Sequence, residues 1–154
     1  MNIQLSQKER MLLQDQQKHE EVCIAKYNTY AQRAQDPQLQ QLFNSFAQQE
    51  QQHWNTLGQI LAGQAPANTS QQQGQQQQQI PGQNMQGSNS SEDAGLCSDM
   101  LMTEKYVSGA YNTTIFECQD NNVRQALNHI QKEEQQHGEG IFNYMKNSGM
   151  YQPQ

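Results

Sequence analysis

Long apolar runs and basic patches are both missing from this sequence. Only 33% of the 154 residues are hydrophobic, and no stretch approaches the length of about 20 apolar residues that a membrane-spanning helix needs. The 9 Lys and Arg residues are scattered, and the formal net charge is −6. The sequence therefore predicts neither a membrane span nor a nucleic-acid partner, because nucleic-acid binding usually requires clustered basic residues.

Cysteine is also scarce, and its spacing follows no metal-binding pattern. Cys23, Cys97 and Cys118 are odd in number, so we expect reduced, partly buried thiols. The N-terminal stretch MNIQLSQKER lacks the apolar core of a secretory signal, which predicts synthesis in the cytoplasm without a signal peptide. Neither a nucleophile triad nor a phosphate-binding glycine loop is evident.

Glutamine, by contrast, is abundant, and it dominates residues 64–91 together with Gly, Ser and Asn. A segment of this composition cannot bury enough apolar surface to fold, so we expect a flexible linker. The linker separates two flanks of similar length, residues 1–63 and 92–147, and residues 148–154 form a tail.

A shift of 84 positions aligns the two flanks without a gap. Between Asp15 and Leu61 the alignment contains 13 identities in 47 positions. Four of these identities are Gln matches, which are expected by chance in a chain so rich in Gln. The other nine identities are Asp15/Asp99, Glu20/Glu104, Tyr27/Tyr111, Asn28/Asn112, Thr29/Thr113, Asp36/Asp120, Asn44/Asn128, Glu50/Glu134 and His53/His137. Such an internal repeat indicates two copies of one structural unit.

Each copy has apolar residues at helical spacing on both sides of a polar turn, near 35–38 in the first copy and near 119–122 in the second. Asp36 is suited to cap the helix that follows, with Pro37 at its first position, and Asp120 is suited to the same role. We therefore expect an all-α fold, an antiparallel four-helix bundle made of two repeated hairpins that form one domain.

Each predicted helix carries a Glu on its apolar face. The four stripes are Leu13, Gln17, Glu20, Ile24, Tyr27, Ala31 and Ala34; Leu39, Leu42, Phe46, Glu50, His53, Leu57 and Leu61; Cys97, Leu101, Glu104, Ser108, Tyr111, Ile115 and Cys118; and Val123, Leu127, Ile130, Glu134, His137, Ile141 and Met145. The second and fourth stripes add a His three residues after the Glu, on the same face. Glu21, Glu133 and Glu139 fall off the stripes, and we expect them on exposed faces.

These polar residues also match in height along the bundle. Glu20 lies 16 residues before Asp36 and Glu50 lies 14 residues after it, which places both roughly 21 to 24 Å from the turn. Glu104 and Glu134 repeat the same offsets around Asp120. The sequence therefore predicts that four Glu and two His converge on one layer of the bundle.

Four carboxylates in an apolar interior repel one another unless they bind protons or cations. Two divalent ions supply a charge of +4, which balances the charge of −4 on the four carboxylates. A ligand set rich in oxygen atoms with two imidazoles suits iron or manganese. We expect the metal ligands to be Glu20, Glu50, His53, Glu104, Glu134 and His137. Tyr27 and Tyr111 are core residues on the same stripes, and their hydroxyls are candidates for hydrogen bonds to these ligands. The alternative is a bundle that keeps these residues but remains protonated or metal-free in use.

The six-residue constellation resembles the ferritin-like superfamily, which includes rubrerythrins, bacterioferritins and manganese catalases. The stretch YNTTIFECQDNNVRQALNHIQKEEQQHGEGIFNYM resembles the spore coat F (Coat F) family of endospore-forming bacteria. The second resemblance implies a protein that is made in the mother-cell cytoplasm and deposited in the spore coat. Its implied partners are other coat proteins or further copies of itself.

Two departures from the ferritin-like pattern bear on function. The chain has no Cys-x-x-Cys pair for a rubredoxin iron, and the positions three residues after Glu20 and Glu104, where an extra carboxylate ligand would fit, are occupied by Cys23 and Val107. We expect a spore coat protein that retains a dinuclear site. The alternative is a di-metal oxidoreductase of the rubrerythrin, ferroxidase or manganese-catalase kind, which consumes peroxide or oxidises Fe(II) and takes O2 or peroxide as its small oxidant.

Overall fold

The computed structural model describes residues 2–66 and 90–150, and this part of the chain is almost entirely helical. Its four helices are α1 (Gln7–Arg33), α2 (Pro37–Leu61), α3 (Ser91–Glu117) and α4 (Asn121–Asn147). Within the described ranges, no helix is both long and apolar enough to cross a membrane. Most of the predicted linker and the end of the predicted tail, residues 67–89 and 151–154, lie outside the described residues.

The caps predicted at the two turns are confirmed. The Asp36 side chain accepts a hydrogen bond from the backbone N–H of Gln38 at 3.0 Å, and Pro37 is the first residue of α2. Asp120 likewise accepts from the backbone N–H of Val123 at 3.0 Å. Each cap satisfies an N–H that the first helical turn leaves without a partner, so both hairpins turn at the positions set by Asp.

Each hairpin has one buried carboxylate that accepts hydrogen bonds from the turn of the other hairpin. Glu9, near the start of α1, accepts from the backbone N–H of Gln119 at 2.8 Å. Asp93 occupies the equivalent place in α3 and accepts from the backbone N–H groups of Gln35 at 2.9 Å and Asp36 at 3.0 Å. The start of each of these helices therefore meets the end of the other, so α1 and α3 are antiparallel and the two turns lie at opposite ends of the bundle.

The helices α2 and α4 are antiparallel for the same reason. The hydroxyl of Tyr144, near the end of α4, donates to Asp36 Oδ2 at 2.6 Å, just before α2 begins. The described helices thus form a four-helix bundle in which two similar hairpins face each other about an approximate twofold relation.

The apolar core consists of two clusters with a polar layer between them. One cluster lies around the first turn and includes Leu39, Leu42 and Phe46 of α2 and Ile141, Tyr144 and Met145 of α4. The other lies around the second turn and includes Leu57 and Ile60 of α2 and Val123, Leu127 and Ile130 of α4. On both helices the residues between the two clusters contain the Glu and the His, so the polar layer lies across the middle of the bundle.

The predicted stripes of α1 and α3 are wrong at alternate turns. Gln17 and Ile24 are partly exposed, whereas Gln16 and Cys23 are buried. In α3 the partly exposed residues are Leu101, Ser108 and Ile115, and the buried ones are Met100, Val107 and Thr114. Along one face of a helix, the next buried residue comes either three or four positions later. The packing of α1 against α3 decides which of these two spacings applies at each turn. Because both spacings pass through the Glu and Tyr positions, those positions are unaffected.

Candidate metal centre

The six residues predicted as metal ligands lie together in the polar layer, and all are buried, with at most 2% of their surface exposed. They form two overlapping groups, in each of which one potential ligand atom per residue lies within 4.8 Å of all the others. The groups are Glu20, Glu50, His53 and Glu134, and Glu50, Glu104, Glu134 and His137. Glu50 and Glu134 belong to both groups, so their position suits carboxylates that bridge two ions, with one Glu and one His at each side.

Each His faces the Glu-x-x-His helix of the other hairpin. His53 Nδ1 lies 2.8 Å from Glu134 Oε1, and His137 Nδ1 lies 2.7 Å from Glu50 Oε1. The Nε2 atom of His137 is 2.5 Å from the amide oxygen of Gln49, to which its N–H donates. A neutral His137 therefore presents an unprotonated Nδ1 to the layer, which is the form of imidazole that binds a metal.

The two tyrosines cross between hairpins as well. The hydroxyl of Tyr27 donates to Glu104 Oε1 at 2.5 Å, and the hydroxyl of Tyr111 donates to Glu20 Oε1. Burial, together with neighbouring carboxylates, raises the pKa of both phenols well above the usual value, so both remain hydrogen-bond donors. Each tyrosine thereby holds the outer Glu of the opposite hairpin in place.

Several buried polar atoms of this layer have no hydrogen-bond partner among the described residues. Five are carboxylate oxygens: Glu20 Oε2, both oxygens of Glu50, Glu104 Oε2 and Glu134 Oε2. Nδ1 of His137 has no donor either, since its neighbour at 2.7 Å is the carboxyl oxygen Glu50 Oε1. A buried polar atom without a partner is costly, and native proteins rarely retain so many at one point. Oxygen and imidazole lone pairs that converge without donors fit cations, so these residues fit a dinuclear metal centre.

The pKa values of the four carboxyl groups are shifted in opposite directions, two upward and two downward. Burial, followed by the neighbouring carboxylates, raises the pKa of Glu50 and Glu134 well above the usual value. Burial acts in the same direction on Glu20 and Glu104, but hydrogen bonds outweigh it and lower the pKa of both. The raised pKa values of Glu50 and Glu134 therefore favour a proton on each of these carboxyls in the absence of metal, and divalent ions would have to displace those protons in order to bind.

Glu133 is a residue of this site that the sequence prediction missed. It was expected on an exposed face, and this is wrong, because its side chain is only 21% exposed and its Oε1 lies 3.5 Å from Nε2 of His53 and 2.7 Å from Nε2 of His129. The repeat aligns Glu133 with Gln49, the residue behind His137. That alignment was the available signal. In both copies the residue before the candidate Glu lies beside Nε2 of the opposite hairpin's His, Gln49 at 2.5 Å and Glu133 at 3.5 Å.

The sequence comparisons concern the second hairpin. The family model of the Coat F domain matches residues 92–154, which is less than half of the chain and includes nearly all of α3 and the whole of α4. Neither the curated proteins nor the solved structures gave a match to this chain. The region that contains Glu104, Glu134 and His137 is thus similar to the Coat F domain, which supports the resemblance to the spore coat F family.

Proposed function

We propose that this protein is a spore coat protein whose ferritin-like four-helix bundle holds a dinuclear iron or manganese centre. The match of residues 92–154 to the Coat F domain supports the coat role. The metal role rests on one observation, the five buried carboxylate oxygens without partners in a single layer. Its partners are other coat proteins or further copies of the same chain, and it is made in the mother-cell cytoplasm.

The two groups of potential ligand atoms suggest a role for each residue. Glu20 and His53 would hold one ion, and Glu104 and His137 would hold the other. Glu50 and Glu134 would be shared between the ions, since both groups contain them. Two divalent charges then balance the four carboxylates in a buried layer where uncompensated charge is unfavourable.

Metal analysis tests the centre directly. The purified protein is loaded anaerobically with Fe(II) or Mn(II), freed of loose ions and analysed by mass spectrometry. About two ions per chain are expected. The double variant Glu50→Gln/Glu134→Gln should retain none, because it removes both shared carboxylates while keeping their shape. Glu21→Gln/Glu139→Gln, which neutralises two exposed carboxylates, is the matched control and should retain both ions. Wild-type protein without bound metal would overturn the metal part of the proposal.

Fractionation of sporulating cells tests the coat role. A tagged copy of the protein should appear in the mother cell during sporulation and then in material extracted from purified coats. A protein found in dividing cells and absent from purified spores would contradict the coat role, whatever its metal content.

A second candidate function is a di-metal oxidoreductase that consumes peroxide or oxidises Fe(II). The observation in its favour is a groove between α3 and α4 that Glu104 and Glu134 line and that offers a small oxidant a place beside these two residues. A bound iron or manganese pair supplies electron transfer and open coordination positions. The chain itself supplies the carboxylates and the donor hydroxyls of Tyr27 and Tyr111. Peroxide consumption and Fe(II) oxidation by the loaded protein at the background rate would exclude this function.

A further inference from the structure

The groove between α3 and α4 has a volume of about 640 Å³ and extends inward to the ligand layer. Its walls include the apolar side chains of Leu101 and Phe142, and two glycines, Gly109 and Gly138, open it. Glu104 and Glu134 line it as well, and each has a buried oxygen, Oε2, without a hydrogen-bond partner among the described residues. The groove therefore ends against Glu104 and Glu134, which are at most 2% exposed, on the side of the candidate metal centre that the second hairpin provides.

The equivalent place in the first hairpin is filled by a large side chain. The repeat aligns Gly138 with Trp54 and Leu101 with Gln17. The indole N–H of Trp54 donates to Glu21 Oε1 at 3.1 Å, and the Gln17 amide donates to the backbone oxygen of Trp54 at 3.3 Å. Trp54 thus connects α2 to α1. At the equivalent height of the second hairpin, Gly138 has no side chain that could connect α4 to α3.

Packing does not require glycine at either position of the groove. A Cβ placed on Gly109 would meet no atom within 4 Å, and one on Gly138 would meet only Leu101 Cδ1, at an ordinary contact distance of 3.8 Å. Glycine inside a helix lowers helix stability, so two such residues without a packing role need another explanation. Keeping the groove open is the explanation that the geometry offers.

We propose that this groove is the path by which a small uncharged oxidant of the size of dioxygen reaches the metal centre, on the Glu104 and Glu134 side; this inference rests on the proposed function. Lys105 and Glu139, which have opposite charges, both line the groove, and the exposed part of its wall is mainly apolar, with Leu101 and Phe142. A hydrated ion would lose part of its hydration shell in such a groove at a cost in free energy, whereas a small uncharged molecule would not. Trp54 occupies the corresponding place in the first hairpin. A smaller depression of about 230 Å³ between α2 and α4, lined by His53 and Glu133, lies beside the other half of the candidate centre.

Dissolved dioxygen can test the path in the full-length protein without metal. Dioxygen is paramagnetic and accelerates the NMR relaxation of protons that it approaches. The methyl protons of Leu101 should show a several-fold larger oxygen effect than those of Leu61, which is partly exposed like Leu101 but lies outside the groove. In Gly138→Trp, which copies the first hairpin, the effect on Leu101 should fall to the Leu61 level. Equal effects at Leu101 and Leu61 in the wild-type protein would overturn the proposal.

Nitric oxide, a neutral diatomic ligand of Fe(II), tests the same path in the loaded protein. Stopped-flow absorbance should show association about tenfold slower in Gly138→Trp than in wild type, at unchanged iron content. Gly109→Leu fills open space, favours the helix and should also slow association, so the test does not depend on the folding of one variant. Trp54→Gly is the matched control and should not slow it.

The two tests separate the possible failures. Wild-type association rates in both Gly138→Trp and Gly109→Leu, with iron bound, would overturn the access path and leave the metal centre standing. A wild-type protein that binds no iron would instead overturn the proposed function, and the oxygen NMR measurement would still decide whether dioxygen enters the groove.

Discussion

The two hairpins agree in the residues that converge on the central layer and differ in those that surround it. Each copy contributes two Glu, one His and one Tyr at equivalent positions, and each His and Tyr contacts a carboxylate of the other hairpin. Outside this set, Trp54 corresponds to Gly138 and Gln49 corresponds to Glu133. The comparison shows that an approximate twofold relation creates the candidate centre, while the surrounding residues make its two sides chemically different.

The strongest test of the twofold relation is to remove one carboxylate at a time. Glu50→Gln should remove both ions, because Glu50 lies in both groups of ligand atoms. Glu20→Gln should leave about one ion per chain, held by Glu104 and His137, because Glu20 lies in one group only. Mass spectrometry of metal after gel filtration measures both. Loss of both ions in Glu20→Gln would mean that the two halves do not bind independently.

The pH dependence of stability should reverse when metal binds. Burial is the largest cause that raises the pKa values of Glu50 and Glu134. Burial lowers the pKa of His53, but carboxylates that accept from its ring N–H groups, Glu133 first, outweigh burial and raise it. A raised pKa contributes stability that is complete below the unfolded value and is lost as pH rises through the folded value. The metal-free protein should therefore lose up to about 1.4 kcal/mol per pH unit for each such proton, above about pH 5 for the two carboxyls and only above about pH 6.5 for His53.

Urea unfolding across this pH range measures the effect. The lowered pKa values of Glu20 and Glu104 act in the opposite sense, but their contribution is lost only as pH falls below the usual carboxyl value of 4.5, outside the range. Saturating Mn(II) should make stability increase with pH, because the ions replace the protons. The variant Glu50→Gln/Glu134→Gln should flatten the metal-free curve. A metal-free wild-type protein that gains stability up to pH 8 would contradict the assignment of these protons.

The cross-hairpin contacts at the two ends of the bundle allow a comparison of stability. Asp93→Ala leaves two backbone N–H groups at the first turn without their acceptor, so the free energy of unfolding should fall by about 2–3 kcal/mol. Glu9→Ala removes the equivalent contact to Gln119 and should have an effect of similar size. Urea denaturation of the metal-free variants measures both. A loss below about 0.5 kcal/mol in Asp93→Ala would show that water replaces the acceptor.

Much of the fold and of the candidate centre could be predicted because both depend on spacing within one hairpin. The caps at Asp36 and Asp120 fix where the helices turn, and equal distances from a turn bring Glu20 level with Glu50. The helical bundle and the convergence of the six residues follow from these distances and from the repeat of 84 residues.

Features that depend on how one hairpin packs against the other, or on the size of a gap, could not be predicted in this way. Glu133 lies behind His53 only because α4 packs against α2, and no spacing along the chain specifies that contact. The buried positions of α1 and α3 were misassigned for the same reason. The only sign of the groove in the sequence is that Gly138 has no side chain where the first hairpin has Trp54.

The smallest expected effect concerns the supports behind the two His residues. A carboxylate behind an imidazole increases its basicity more than an amide does, so the ion held by His53 should bind more tightly than the ion held by His137. Glu133→Gln places an amide beside each of the two His residues. This change should weaken one of the two Co(II) binding steps about tenfold. The two steps should then merge in a Co(II) titration followed by visible absorption. Gln49→Glu should strengthen the other step. Glu139→Gln removes the same charge from an exposed position of α4, and an equal weakening there would mean that net charge, rather than the support of His53, distinguishes the two sides.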